Sequence, residues 1–175
     1  MRHGRVRRFD GEGPAPRPPG RGPHVVLDNI RSAFNVGSVF RTCDAAGVEH
    51  LHLCGISACP PNPKLLKTSL GAERTVPWSH CIDARERLAQ LREAGLALYA
   101  VERTDASVPY TEVDYPEHCA LIFGHEVAGV AAPLLEMADR VIEIPMLGRK
   151  NSLNVATSVG VVLFELVRRR LAAPG

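Results

Sequence analysis

The sequence predicts an α/β domain: a mostly parallel sheet covered by helices on both faces. Two observations carry this fold class. Runs such as His24-Val25-Val26-Leu27-Asp28 and Cys119-Ala120-Leu121-Ile122-Phe123 are apolar with little alternation, as strands buried on both faces are. Segments of helical character separate these runs, and strands alternating with helices build parallel sheets. In such a sheet the strand ends gather along one edge, where ligands usually bind. Polar residues far apart in the chain can therefore share one site.

The first strand is 24–28, followed by a helix over 35–46 that Gly47 ends, because glycine readily takes the left-handed position after a helix. A second strand spans 49–54. The proline-rich run Cys59-Pro60-Pro61-Asn62-Pro63 makes a loop before a short helix, 64–70, and Val76 and Trp78 mark a brief extended piece. Asp83 caps a helix with Ala84, Leu88 and Leu91 on one stripe, and Gly95 ends it. Residues 96–101 form a strand. The polar stretch 103–118, with Pro109 and Pro116, reads as a loop. The strand 119–123, a short helix 133–138, a strand 140–146 and a final helix 152–170 complete the domain. That last helix has almost no polar face before Arg168-Arg169-Arg170, which predicts burial on more than one side. One side is the sheet. For the other, a second copy of the chain, in a homodimer, is ranked above cover by the polar N-terminal segment.

Length and composition set the limits. The 175 residues suffice for one domain with a substantial core, and 45% hydrophobic with 23% charged residues is ordinary for a globular protein. The net charge of +2 does not point to nucleic acid, but the charge is uneven. Residues 1–23 carry Arg2, Arg5, Arg7, Arg8, Arg17 and Arg21 among many Pro and Gly, against Asp10 and Glu12. The expected organisation is a flexible basic arm, 1–23, before a domain over 24–175. Such an arm can raise affinity for phosphates, and it can equally be a solvated tail.

No run is apolar and long enough for a membrane span, and the start lacks the apolar core of a secretion signal. The five cysteines contain no CxxC pair, which predicts a reduced, cytoplasmic protein. His50, His52 and Cys54 alternate along one strand and so share a face, but their spacing matches no familiar zinc pattern, and no metal is expected.

The chemistry-bearing segments are three strand exits: 29–41, 124–130 and 145–154. Gly124-His125-Glu126-Val127-Ala128-Gly129 lacks both the GxGxxG spacing and a P-loop lysine, and there is no GxSxG elbow. The run Asn35-Val36-Gly37-Ser38-Val39-Phe40-Arg41-Thr42 resembles the first motif of the SpoU branch of the SPOUT RNA methyltransferases. Leu121 to Gly129 resembles that family's second motif. Ile144-Pro145-Met146 through Ser152-Leu153-Asn154-Val155-Ala156 resembles its third, and Lys67 to Ala72 resembles a recurrent segment between them. The resemblance covers about residues 24–170. His125 departs from it, since members more often carry a small or amide residue there.

The resemblance implies an S-adenosylmethionine-dependent 2′-O-ribose methyltransferase acting on tRNA or rRNA, with a C-terminal trefoil knot and a homodimer. It assigns Gly124, Ile144, Met146 and Leu153 to the cofactor pocket. Arg41 becomes the catalytic residue, with Asn35, Glu126, Ser152 and Asn154 orienting it and the ribose; Ser152 or Asn154 can also cap the final helix. Some members carry a separate N-terminal RNA-binding domain, so recognition is expected here from the core, the dimer and the arm. Two other readings are an RNA-binding protein without turnover and a SPOUT enzyme that methylates a base.

Overall fold

A computed structural model describes residues 22–172. The expected arm therefore lies outside the described residues except for Gly22 and Pro23. Both are buried, and the Gly22 N–H donates to Glu49 Oε2 at 3.1 Å. Strand β1 (His24–Asp28) leads into α1 (Ala33–Ala46), and β2 (His50–Cys54) into α2 (Pro63–Ser69). There follow β3 (Trp78–Cys81), α3 (Ala84–Glu93), β4 (Ala97–Val101), β5 (Val108–Pro109) and β6 (Cys119–Phe123). The chain ends with α4 (Ala132–Met137), β7 (Arg140–Glu143) and α5 (Val155–Ala172).

Short polar side chains set the helix starts. Ser32 accepts the Asn35 N–H, Asn62 accepts from Lys64 and Leu65, and Asp83 accepts from Arg85. Gly47 ends α1 with φ 63°.

Four expectations need correction. The helix expected from residue 35 begins at Ala33, because Ser32 is its cap. The loop expected over 103–118 contains β5 and a turn of 3₁₀ helix, Tyr110–Glu112. The strand expected over 140–146 stops at Glu143, and the final helix begins at Val155, capped by Asn154 Oδ1. Pro145 has no N–H for a ladder, so Ile144-Pro145-Met146 leaves the sheet.

The strand order is β3-β2-β1-β6-β4-β7-β5, and every neighbouring pair is parallel. Residues alternate between two apolar layers. Val25, Leu27, Leu121 and Phe123 pack with α1 and α5, whereas Val26, Ala120 and Ile122 pack with α3 and α4. Strand β1 lies between its sequence neighbour β2 and the late strand β6, the kind of reversal point beside which α/β sheets bind ligands.

Helix α1 meets α2 at Gly37, where a Cβ would collide with Thr68 Oγ1 and the carbonyl of Leu65. Alanine is the better helix former. Gly37→Ala is nevertheless expected to destabilise the domain by about 2 kcal/mol through overpacking, read as a lower urea midpoint.

Beneath α3, His24, His50 and His52 stack, with His50 and His52 ring centroids 4.4 Å apart. His24 Nδ1 lies 2.9 Å from His52 Nε2, and Ser79 Oγ lies 3.0 Å from His50 Nε2. Burial, helped by the neighbouring imidazoles and Arg87, pushes His52 down to about 2 from 6.5. His24 and His50 are lowered too, mainly by burial. Below pH 6.5 the unfolded chain takes up a proton that native His52 refuses. This contribution to stability is therefore intact above pH 6.5 and is lost progressively as pH falls toward about 2. The urea midpoint should drop between pH 7.5 and 5, and drop less in His52→Gln.

Candidate active site

Three loops leave the C-terminal ends of adjacent strands β4, β6 and β7 and line an open cleft of about 600 Å³. The first wall follows β6. A Cβ on Gly124 would collide with the carbonyl of Gly129, so residues 124–130 double back with main chain against main chain. Gly129 makes this possible by adopting φ 72°, and its N–H donates to the His125 carbonyl at 2.8 Å. His125 also holds the loop from inside. Its Nδ1 accepts the N–H groups of Val127 and Ala128 at 3.0 and 3.1 Å, so the imidazole nitrogen offers the acceptor that an amide oxygen would offer.

The second wall follows β7, where Ile144, Met146, Ser152 and Leu153 face the cleft. Asn154 then caps α5, its Oδ1 accepting from Ala156 at 2.9 Å and Thr157 at 3.4 Å. Its Nδ2 donates to Asn35 Oδ1 at 3.2 Å, and Asn35 Nδ2 donates to Glu126 Oε1 at 3.2 Å. Glu126 also accepts the backbone N–H groups of Arg31 and Ser32, at 2.9 and 3.0 Å. Burial alone would raise this carboxyl. The N–H donors of Arg31, Ser32 and Asn35 outweigh burial and hold it below the usual carboxylate range. Glu126 thus stays an anion that ties the loop after β6 to the loop after β1.

The structure gathers most of the expected site residues. Gly124, Ile144, Met146 and Leu153 all line the cleft, as do Glu126 and Ser152. Asn35, Glu126 and Asn154 form one bonded chain beside it. Arg41 is apart from them. It is exposed, two turns along α1 and outside the cleft lining, and its side chain makes no hydrogen bond or ion pair among the described residues. Asn35 and Arg41 are six positions apart, about 240° around a helix, so they cannot share a face.

Glu102, at the exit of β4, was missed. It lines the cleft and bonds the loop after β6. The available signal was an acid directly after the apolar run 97–101. Ser107, which donates to cleft-lining Glu143 at 2.6 Å, was hidden in the stretch read as a loop.

The cleft suits the methyl donor implied by the resemblance. Its volume is that of a small-molecule site, and Val101, Phe123, Ile144 and Leu153 offer apolar surface for an adenine. The glycine-lined turn exposes main-chain groups for its polar edge. Among the described residues, no group of three His, Cys, Asp or Glu side chains could hold a metal ion, and no helix is long and apolar enough to cross a membrane.

Comparison with known proteins points the same way. Residues 22–164 match the model of the SpoU rRNA Methylase family. A tRNA (guanosine(18)-2′-O)-methyltransferase of Thermus thermophilus is 37% identical over 149 residues, 85% of this chain and 76% of the relative. A 23S rRNA (guanosine-2′-O-)-methyltransferase of Xanthomonas axonopodis pv. citri is 32% identical over 88% of this chain, which spans 61% of that relative. The SpoU methyltransferase AviRb from Streptomyces viridochromogenes, solved with the cofactor AdoMet, superposes with TM-score 0.79 at 27% identity, covering 86% of this chain and 61% of its own. Several solved neighbours are thus longer, with this chain spanning about three fifths of their length.

Proposed function

Because the chain belongs to the SpoU rRNA methylase family, we propose that it is an S-adenosylmethionine-dependent methyltransferase of ribose 2′-hydroxyls in tRNA or rRNA. The observation that carries this reading is the bonded chain Asn154–Asn35–Glu126 beside the cleft. It joins all three motif segments at one place. A protein that merely bound RNA would have no need of a small-molecule cleft at that junction.

When bound, S-adenosylmethionine supplies a methyl group on a positively charged sulfonium. The chain's own residues do the rest. Gly124, Ile144, Met146 and Leu153 hold the donor through main-chain groups and apolar contact. Ser152 and the Asn154–Asn35–Glu126 chain fix the two loops that flank the ribose. Arg41, with no intramolecular partner among the described residues, is free to grip an RNA phosphate and steady negative charge on the 2′-oxygen. A guanidinium keeps its proton at any working pH, so this electrostatic role is easier than that of a general base. Holding donor and ribose in line supplies much of the acceleration.

The same reading includes a homodimer through the C-terminal helix, a knotted C-terminal segment and a cytoplasmic location. Support for the dimer comes from the outer stripe of α5. Thr157, Phe164, Arg168 and Leu171 are exposed there, with Phe164 48% and Leu171 83% accessible. Support for the knot comes from β7 lying between β4 and β5, with the chain then running on to an α5 packed on α1.

Calorimetry with S-adenosylmethionine and nucleoside analysis of methylated RNA test the reading together. Saturable cofactor binding and a 2′-O-methylated nucleoside are expected. Absence of binding favours the RNA-binding protein without turnover, and a methylated base favours the other SPOUT chemistry. Deleting the gene and mapping the lost 2′-O-methyl mark then identifies the RNA.

A further inference from the structure

The wall of the cleft contains a carboxylate with no part in the chemistry described above. Glu102 sits one residue past β4, and its backbone N–H donates to the carbonyl of Ile142 on β7 at 3.0 Å. Its side chain holds a different loop. Oε2 accepts the N–H of Val130 at 2.9 Å, while Oε1 accepts the N–H of Arg103 at 2.8 Å. Gly129 approaches so closely that a Cβ on it would collide with Oε2. The carbonyl of Gly129 in turn leaves no room for a Cβ on Gly124. Gly124, Gly129 and Glu102 are stacked in three layers without space for a methyl group between them.

One residue therefore connects both walls. Its backbone anchors β7 just before the segment carrying Ile144 and Met146, and its carboxylate braces the loop carrying Gly124. We propose that Glu102 is a positioning residue that sets the spacing of these two loops, and thereby the affinity for the methyl donor, without touching the reacting atoms. The inference rests on the S-adenosylmethionine reading above. A pocket that binds largely through main-chain groups depends on loop placement to a fraction of an ångström. A carboxylate that accepts amide N–H groups is a strong brace for that purpose.

The test is calorimetry of the full chain with S-adenosylmethionine, for the parent and for Glu102→Ala, Glu102→Gln and Gly129→Ala. Melting temperature and affinity for bulk tRNA are measured on the same preparations. Glu102→Ala is expected to weaken the donor about tenfold or more by leaving the Val130 amide without its acceptor, with tRNA affinity unchanged within about twofold. Glu102→Gln keeps one acceptor oxygen for Val130 and should return to within about threefold of the parent. Gly129→Ala, which presses on an intact carboxylate and puts a side chain on a residue at φ 72°, should weaken the donor at least as much as Glu102→Ala does. Parent-like donor affinity in Glu102→Ala overturns the proposal. So does a fall in melting temperature with both affinities declining together, the mark of a merely structural role. If Glu102→Ala does not fold, the decision passes to the other two variants, and parent-like affinity in Gly129→Ala overturns it. A parent protein that binds no S-adenosylmethionine sinks the functional reading itself, which is a different result from parent binding with insensitive variants.

Discussion

Replacing Arg41 with lysine is expected to lower methyl transfer about a hundredfold or more while leaving affinity for S-adenosylmethionine within about twofold of the parent. The split follows from where Arg41 lies. It is outside the cleft lining and its side chain makes no hydrogen bond or ion pair among the described residues, so its loss removes nothing that shapes the donor pocket. An exposed substitution of this kind should also change stability by no more than about 0.5 kcal/mol. What lysine removes is the planar fork that can take a phosphate and a developing alkoxide together, since an ammonium is a single point of charge. Single-turnover transfer of labelled methyl into RNA, run beside calorimetry, measures both quantities. Parent-like turnover in the lysine variant would rule Arg41 out of the chemistry.

Gly124→Ala should act in the opposite way, weakening the donor about a hundredfold before any chemistry begins, because the backbone it strikes has nowhere to retreat. The added Cβ meets the carbonyl of Gly129, and Gly129 is itself pressed against Glu102. The neighbouring Val130 amide is bonded to that same carboxylate at 2.9 Å. Relief therefore requires the whole 124–130 turn to move, and with it the main-chain groups that face the cleft. Isothermal titration on folded variant protein reads the loss directly. Affinity within threefold of the parent would mean that this turn is not part of the donor site.

Much of this was visible in the amino-acid order, for identifiable reasons. The apolar runs of β1 and β6 have no polar alternation, so their burial between two helical layers was plain, and Gly47 and Asp83 marked helix ends by chemistry that acts locally. Errors came where a local pattern was overruled from a distance. Ile144-Pro145-Met146 has the apolarity of a strand, but Ile144 and Met146 turn to the cleft instead of extending β7. Strand β5 is two residues long and pairs with β7 at the sheet edge, so nothing within 103–118 announces it. Site residues were readable in proportion to their motif context. Gly124, Glu126 and Asn154 stood within recognisable runs, whereas Glu102 carries no local signature. Its importance arises from Val130, 28 residues away, and from Gly129.

The contact between Asn154 and Asn35 spans 119 positions, and that distance also orders events in time. A ribosome has made β1 and α1 long before it supplies the third segment, and the loop after β6 only shortly before it. Until then the nascent chain has half a cleft and an Asn35 side chain lacking one partner. Catalytic competence should consequently switch on only once the segment 152–156 has been made and docked, and a fragment cut anywhere before Val155 would be inert however well its first strands fold.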